Sequence, residues 1–166
     1  MLKAKNLSSR ASAIRELLGL TAYRLGKYDE SLRELRAFRR LTGDTTHMPL
    51  EMDSLRGLRR HGDIDKTWDL FKELGGSPAA DAEARVVYGS FLLDQQRHKE
   101  AWMVTRPGRV TKESKEFERR RWFVAAKAAL ALGDVDTART LAAAVRHGDA
   151  DMPGLDELTE DIASAS

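Results

Sequence analysis

Apolar residues return along this chain at intervals of three and four, the spacing that gathers them on one face of an α-helix, and no segment alternates as a strand would. Leu7, Ala11, Ile14, Leu17 and Leu18 set the rhythm at the N-terminus. The periodic stretches predict four first helices, over Ser8 to Leu25, Met48 to His61, Ala79 to Gln95 and Thr111 to Leu132. Each is followed by a second helix, over Tyr28 to Leu41, Ile64 to Leu74, His98 to Arg106 and Val135 to Arg146.

Turn residues punctuate this pattern. The pairs are separated by Thr42-Gly43-Asp44, by Gly75-Gly76-Ser77-Pro78 and by Pro107-Gly108. Ser77 then Pro78 reads as an N-cap and a first helical residue, and Pro107 stops the helix before it. A last helix, Leu155 to Ala163 after Pro153-Gly154, is placed to cover the final pair.

Within each pair the connection repeats. Gly26-Lys-Tyr-Asp-Glu-Ser31, Gly62-Asp-Ile-Asp-Lys-Thr67, Gln96-Arg-His-Lys-Glu-Ala101 and Gly133-Asp-Val-Asp-Thr-Ala138 begin 36, 34 and 37 residues apart. Glycine accepts the left-handed conformation that ends one helix, and an aspartate after it can cap the next, Asp63 and Asp134 being the clearest instances. Five residues into each segment stands a smaller side chain, Ser31, Thr67, Ala101 or Ala138, where antiparallel helices must approach closely. The expected architecture is all-α, a single domain over 1–166 with repeats at about 8–42, 46–75, 79–108 and 111–147 and a capping helix at 154–164.

At these positions the chain resembles the tetratricopeptide repeat family, whose unit is a helix hairpin of about 34 residues. The first unit carries the signature as Leu18-Gly19, Gly26, Tyr28, Ser31, Leu35 and Phe38, and the fourth as Trp122, Ala125-Ala126, Ala129, Gly133, Ala138 and Val145. The third shows Tyr88-Gly89, Leu92 and Ala101; the second departs, with Leu55 at a position where a small residue is usual and Ser54 beside it. The whole is similar to bacterial tetratricopeptide proteins of unassigned function. The resemblance implies a right-handed α-solenoid whose first helices line a concave groove for a peptide or a partner's helix.

Carried onto this chain, the family's groove positions are Glu16, Leu20, Tyr23 and Arg24; Met52, Arg56 and Arg59; Val86, Ser90 and Leu93; and Phe123, Lys127 and Leu130. Exposed apolar anchors mixed with arginine suit an apolar, partly acidic ligand. Arg56→Glu is expected to weaken such binding with little loss of stability. The carboxylate clamp that some family members build from lysine and asparagine is not expected, since Glu16 and Leu20 hold the first unit's places and the chain's only asparagine is Asn6.

Composition narrows the chemistry. With no cysteine among 166 residues, disulfides, thiolate zinc sites and cysteine nucleophiles are excluded. His47, His61, His98 and His147 show no metal-ligand spacing, and no phosphate-cradling glycine loop or nucleophile elbow occurs, so neither catalysis nor a cofactor nor a metal is expected. Trp68, Trp102 and Trp122 fall among periodic apolar neighbours and read as core. No apolar run is long enough for a membrane helix, and a cytoplasmic location is expected. The basic, serine-containing opening from Lys3 to Arg15 has the flavour of a transit peptide, but its periodicity runs unbroken into the first helix.

Charge opens two alternatives to a scaffold that binds protein. Residues 149 to 166 hold six acids and no base, which against a whole-chain charge of +2 leaves +8 on residues 1 to 148. Basic clusters stand at Arg36 to Arg40, Arg56 to His61 and Arg119 to Arg121. They would serve a nucleic-acid-associated regulator, although acids such as Glu34, Asp53 and Glu118 are interleaved with them. The acidic tail on a neighbour's basic face would serve a self-associating array.

Overall fold

A computed structural model describes the backbone of residues 2–111 and 113–165 and the side chains of residues 9–111 and 113–165. The side chains of Lys3, Lys5 and Leu7 lie outside the described residues. Among those described the chain is all-helical, with no strand. The helices are α1 (Leu2–Arg24), α2 (Tyr28–Thr42), α3 (Met48–Gly57), α4 (His61–Leu74), α5 (Pro78–Asp94), α6 (His98–Thr105), α7 (Glu116–Ala131), α8 (Val135–Gly148) and α9 (Leu155–Ser164). They form two compact units, Met1–Ala84 and Arg85–Ser166, divided within α5.

In the first unit α1 packs on α2, α2 on α3 and α3 on α4. Arg15 meets Glu34, Gly19 meets Leu35 and Tyr23 meets Tyr28, so α1 and α2 run antiparallel. Their approach is close: a Cβ on Gly19 would stand 2.6 Å from Leu35 Cδ2. Leu35, Met48, Met52, Leu55 and Ile64 are wholly buried. Gly43, at φ 74°, ends α2 by donating its amide to the Arg39 carbonyl. Ser77 Oγ accepts from the Ala80 amide at 3.1 Å, and Pro78 opens α5.

In the second unit α7 packs against α6 and α8, and α9 against α7 and α8. Leu155, Leu158 and Ile162 of α9 join Trp122, Leu141 and Val145 in one apolar cluster. Trp68 and Trp122 are buried and Trp102 is half-buried. The third-pair connection is longer than expected. Helix α7 begins at Glu116 rather than Thr111, because Lys115 is extended (ψ 157°) and its amide is bonded by Glu118 Oε2 at 2.8 Å.

Four turns share one backbone geometry. The amides of Lys27, Arg60, Arg97 and Asp134 reach back five residues to the carbonyls of Ala22, Leu55, Leu92 and Ala129, at 2.8 to 3.0 Å. Before each donor stands a residue in the left-handed region: Gly26 (φ 70°), Arg59 (57°), Gln96 (58°) and Gly133 (82°). The second turn therefore corrects the sequence reading by three residues. Arg59 terminates α3, whereas Gly62 lies inside the first turn of α4. Asp63 does not cap that helix either; it receives Nε and Nη2 of Arg60, at 2.9 and 2.6 Å.

The corrected register replaces the expected small residue. Five residues after the left-handed position stand Ser31, Ala101 and Ala138, but Ile64 rather than Thr67, all buried. Ser54 of α3 is buried against α2, its hydroxyl 3.5 Å from that of Ser31. Of the two aspartates, Asp134 caps as expected, accepting from the Thr137 amide at 3.1 Å.

Candidate functional site

Shifting the second turn moves the groove positions of α3. Counted back from the caps, Glu16, Val86 and Phe123 correspond to Pro49; Leu20, Ser90 and Lys127 to Asp53; and Tyr23, Leu93 and Leu130 to Arg56. Met52 falls instead on the packing position of Gly19, Gly89 and Ala126, and is wholly buried. It is not presented to a ligand. Arg59 is spent on the turn itself. Arg56 alone of the three still falls on a groove position, now that of Tyr23 rather than that of Leu20.

In the first unit, Tyr23 donates its hydroxyl to Asp53 Oδ2, and Arg56 Nη1 lies 3.5 Å from Asp53 Oδ1. Asp53, which sequence reasoning passed over as a neutralising surface acid, thus joins two of the expected groove residues. Glu16 bonds His47 Nε2 at 2.7 Å, which ties α1 to the start of α3. Leu20 is half-buried and Arg24 exposed.

The second unit builds a cleft of about 430 Å³ from three segments. Helix α5 supplies Val86 and Ser90, α7 supplies Glu116, Arg120, Phe123 and Val124, and the connection between α8 and α9 supplies Asp149, Met152 and Pro153. Three of the expected groove residues, Val86, Ser90 and Phe123, meet here. Their spacing explains it: each lies six or two residues before a capped carbonyl, on the same helical face. Lys127 lies over the Phe123 ring, 5.6 Å from its centroid. Leu93 is half-buried, and Leu130 packs on the apolar cluster of this unit.

The wall formed by Asp149, Met152 and Pro153 has no helical period to announce it. Met152 is 8% exposed and belongs to the apolar cluster, and this anchors the connection beside Phe123. A Cβ on Gly154, at φ 81°, would stand 3.3 Å from the Phe123 ring. Val86, Phe123 and Met152 give the cleft apolar walls, while Glu116, Arg120 and Asp149 give it charges of both signs. Such a lining can seat an apolar anchor and orient the polar groups beside it.

A second depression, about 290 Å³, lies in the first unit between α2 and the turn before α4. Asp29, Leu32, Arg33, Arg36, Arg40 and Arg60 line it. Beneath it, Glu51 is buried and receives Arg39 through Nε and Nη2 at 2.9 and 3.1 Å, with Arg36 Nε 3.5 Å away. The Arg15 guanidinium beside Glu34, with Arg33 adding to it, holds that carboxyl below the usual range against the cost of desolvation. Arg60 does the same to Asp63.

Among the described residues no three histidine or carboxylate groups gather as metal ligands would. No described helix is long and apolar enough to cross a membrane. Comparison of the chain with family models, curated proteins and solved structures finds no match in any of the three.

Proposed function

We propose that this chain is a non-catalytic, tetratricopeptide-like α-solenoid that binds a partner protein by taking an apolar side chain of a peptide or helix into the cleft of its second unit. The observation that carries the reading is the convergence of Val86 and Phe123 with Met152 around about 430 Å³. That volume is within the range of pockets that enclose ligands. An aromatic or leucine anchor with a flanking charge is the complementary chemistry, since Arg120 can meet an acid and Glu116 or Asp149 a base.

The four equivalent turns support the repeat reading. They recur at 33, 37 and 37 residues, each joining a pair of helices by the same backbone hydrogen bonds. Repeats of this kind present their first helices as a binding face, and Val86, Ser90 and Phe123 belong to first helices. Cytoplasmic residence and a protein partner go with this reading.

A peptide-display library offered to the whole chain tests it. Enrichment of sequences with a recurring aromatic or aliphatic anchor, lost on a Val86→Asp surface, is the expected result. A library that yields no saturable binder, or binders indifferent to Val86, would rule the reading out.

A further inference from the structure

Two basic clusters that lie far apart in sequence meet in the first unit. Arg33, Arg36 and Arg40 stand at i, i+3 and i+7 on α2, hence on one face, and Arg60 arrives from the turn that ends α3. Arg60 comes to that wall because Arg59 takes the left-handed position: the turn directs Arg60 into the sequence of the next helix's cap. Spacing along α2 puts three of these arginines on one face, and the fold brings the fourth to it.

Three of the four are held from behind by carboxylates. Arg33 Nε is 3.0 Å from Glu34, Arg36 Nε 3.5 Å from Glu51, and Arg60 is held by Asp63 through two nitrogens. Each guanidinium has five N–H donors, so one or two bonds to a supporting acid fix its direction and leave donors for a ligand. Arg36 and Arg60 line the same depression, one from α2 and the other from the turn before α4. Arg40 is exposed and adds the fourth charge.

We propose that this depression binds a phosphate monoester carried on a side chain of a partner protein. The chemistry fits because a phosphate monoester brings nearly two negative charges and three acceptor oxygens, which planar guanidinium forks match in pairs. A single carboxylate would satisfy fewer of four arginines. A nucleic-acid backbone would need cations repeated along a track, whereas this site is one depression of about 290 Å³ with Asp29 on its wall and Asp63 beside it.

The site lies wholly in the first unit, so it stands or falls apart from the cleft reading. The test is calorimetric titration of the full chain at low salt with inorganic phosphate, with a capped Gly-phosphoserine-Gly peptide, with its unphosphorylated counterpart and with a short single-stranded RNA. The phosphopeptide is expected to saturate the chain at one equivalent, at least tenfold more tightly than the unphosphorylated peptide and more tightly than free phosphate. Arg33→Gln with Arg40→Gln should weaken it at least tenfold with the melting temperature lowered by only a few degrees, because Arg15 still bonds Glu34, and Ser90→Tyr in the second unit should leave it unaltered. Absence of saturable phosphopeptide binding, equal binding by the double variant, or tighter binding of free phosphate would each overturn the proposal. RNA that displaces the phosphopeptide and binds with a steep salt dependence would overturn it in favour of nucleic acid.

Discussion

Arg39 grips both carboxylate oxygens of Glu51, and the acid it grips is 1% exposed. The pair links α2 to α3 beneath the arginine depression. A buried carboxylate deprived of its fork keeps its desolvation cost and loses most of its compensation. Arg39→Ala is expected to destabilise the chain by about 3 kcal/mol in urea denaturation, Arg36 at 3.5 Å providing only part of the replacement. Replacing both partners, Arg39→Met with Glu51→Met, should cost less than Arg39→Ala, since no uncompensated buried carboxylate remains and Arg36 is 30% exposed to water.

The position of the second turn predicts opposite behaviour from what its glycine suggests. Gly62 has no left-handed backbone and no heavy atom within 4 Å of an added Cβ, so Gly62→Ala should raise stability by about 0.5 kcal/mol. Arg59, held at φ 57°, should gain a similar amount on replacement by glycine, relief of the left-handed strain outweighing the added freedom of the unfolded chain. Thermal melts of the two single variants check this. A clear loss in Gly62→Ala would mean that the turn belongs at Gly62.

Acid should weaken the α1–α2 junction in a defined window. Glu34 titrates below its ordinary value of 4.5 when folded, chiefly because Arg15 bonds it. Its contribution is therefore complete above pH about 4.5 and is lost as pH falls through the lower folded value. The stability difference between the wild type and Arg15→Gln should be constant from pH 7 to about 5 and shrink below about 4.5. A difference that widens with acid would contradict the assignment.

Filling the cleft should block it without unfolding the second unit. Ser90 is half-buried on the cleft wall, and Ser90→Tyr would place an aromatic ring in space that the structure leaves open. Peptide affinity is expected to fall tenfold or more, with the melting temperature changed by only a few degrees, as substitutions outside tight packing usually allow. Fluorescence anisotropy with a display-selected peptide reads the first and a thermal melt the second.

The helices were legible because each combines a long apolar period with a clear stop. Tyr28, Met48, His98, Val135 and Leu155 begin helices where the pattern places them. The second turn was not, and the cause is local chemistry: Gly62-Asp63-Ile64-Asp65 imitates Gly133-Asp134-Val135-Asp136, while the true left-handed residue is an arginine with no turn signature. That single misplacement carried Met52 and Arg59 into the expected groove and left Asp53 out.

Three of the nine residues that line the cleft were named from helical spacing, and the rest were not, for a related reason. Val86, Ser90 and Phe123 lie on helices, where a face can be projected from spacing. Asp149, Met152 and Pro153 lie on an irregular connection whose path is fixed by Met152 entering an apolar cluster, a long-range event with no local pattern. The arginine depression was hidden in the same way, since Arg60 reaches Arg36 and Arg40 only through the packing of α3 on both α2 and α4.

Methyl-resolved NMR of the whole chain titrated with a display-selected peptide tests the central claim most directly. The account predicts progressive, saturable shifts at Val86, Val124 and Met152, with Met48 and Met52 of the first unit unmoved. Shifts centred on other methyl groups, with those three silent at saturation, would contradict it.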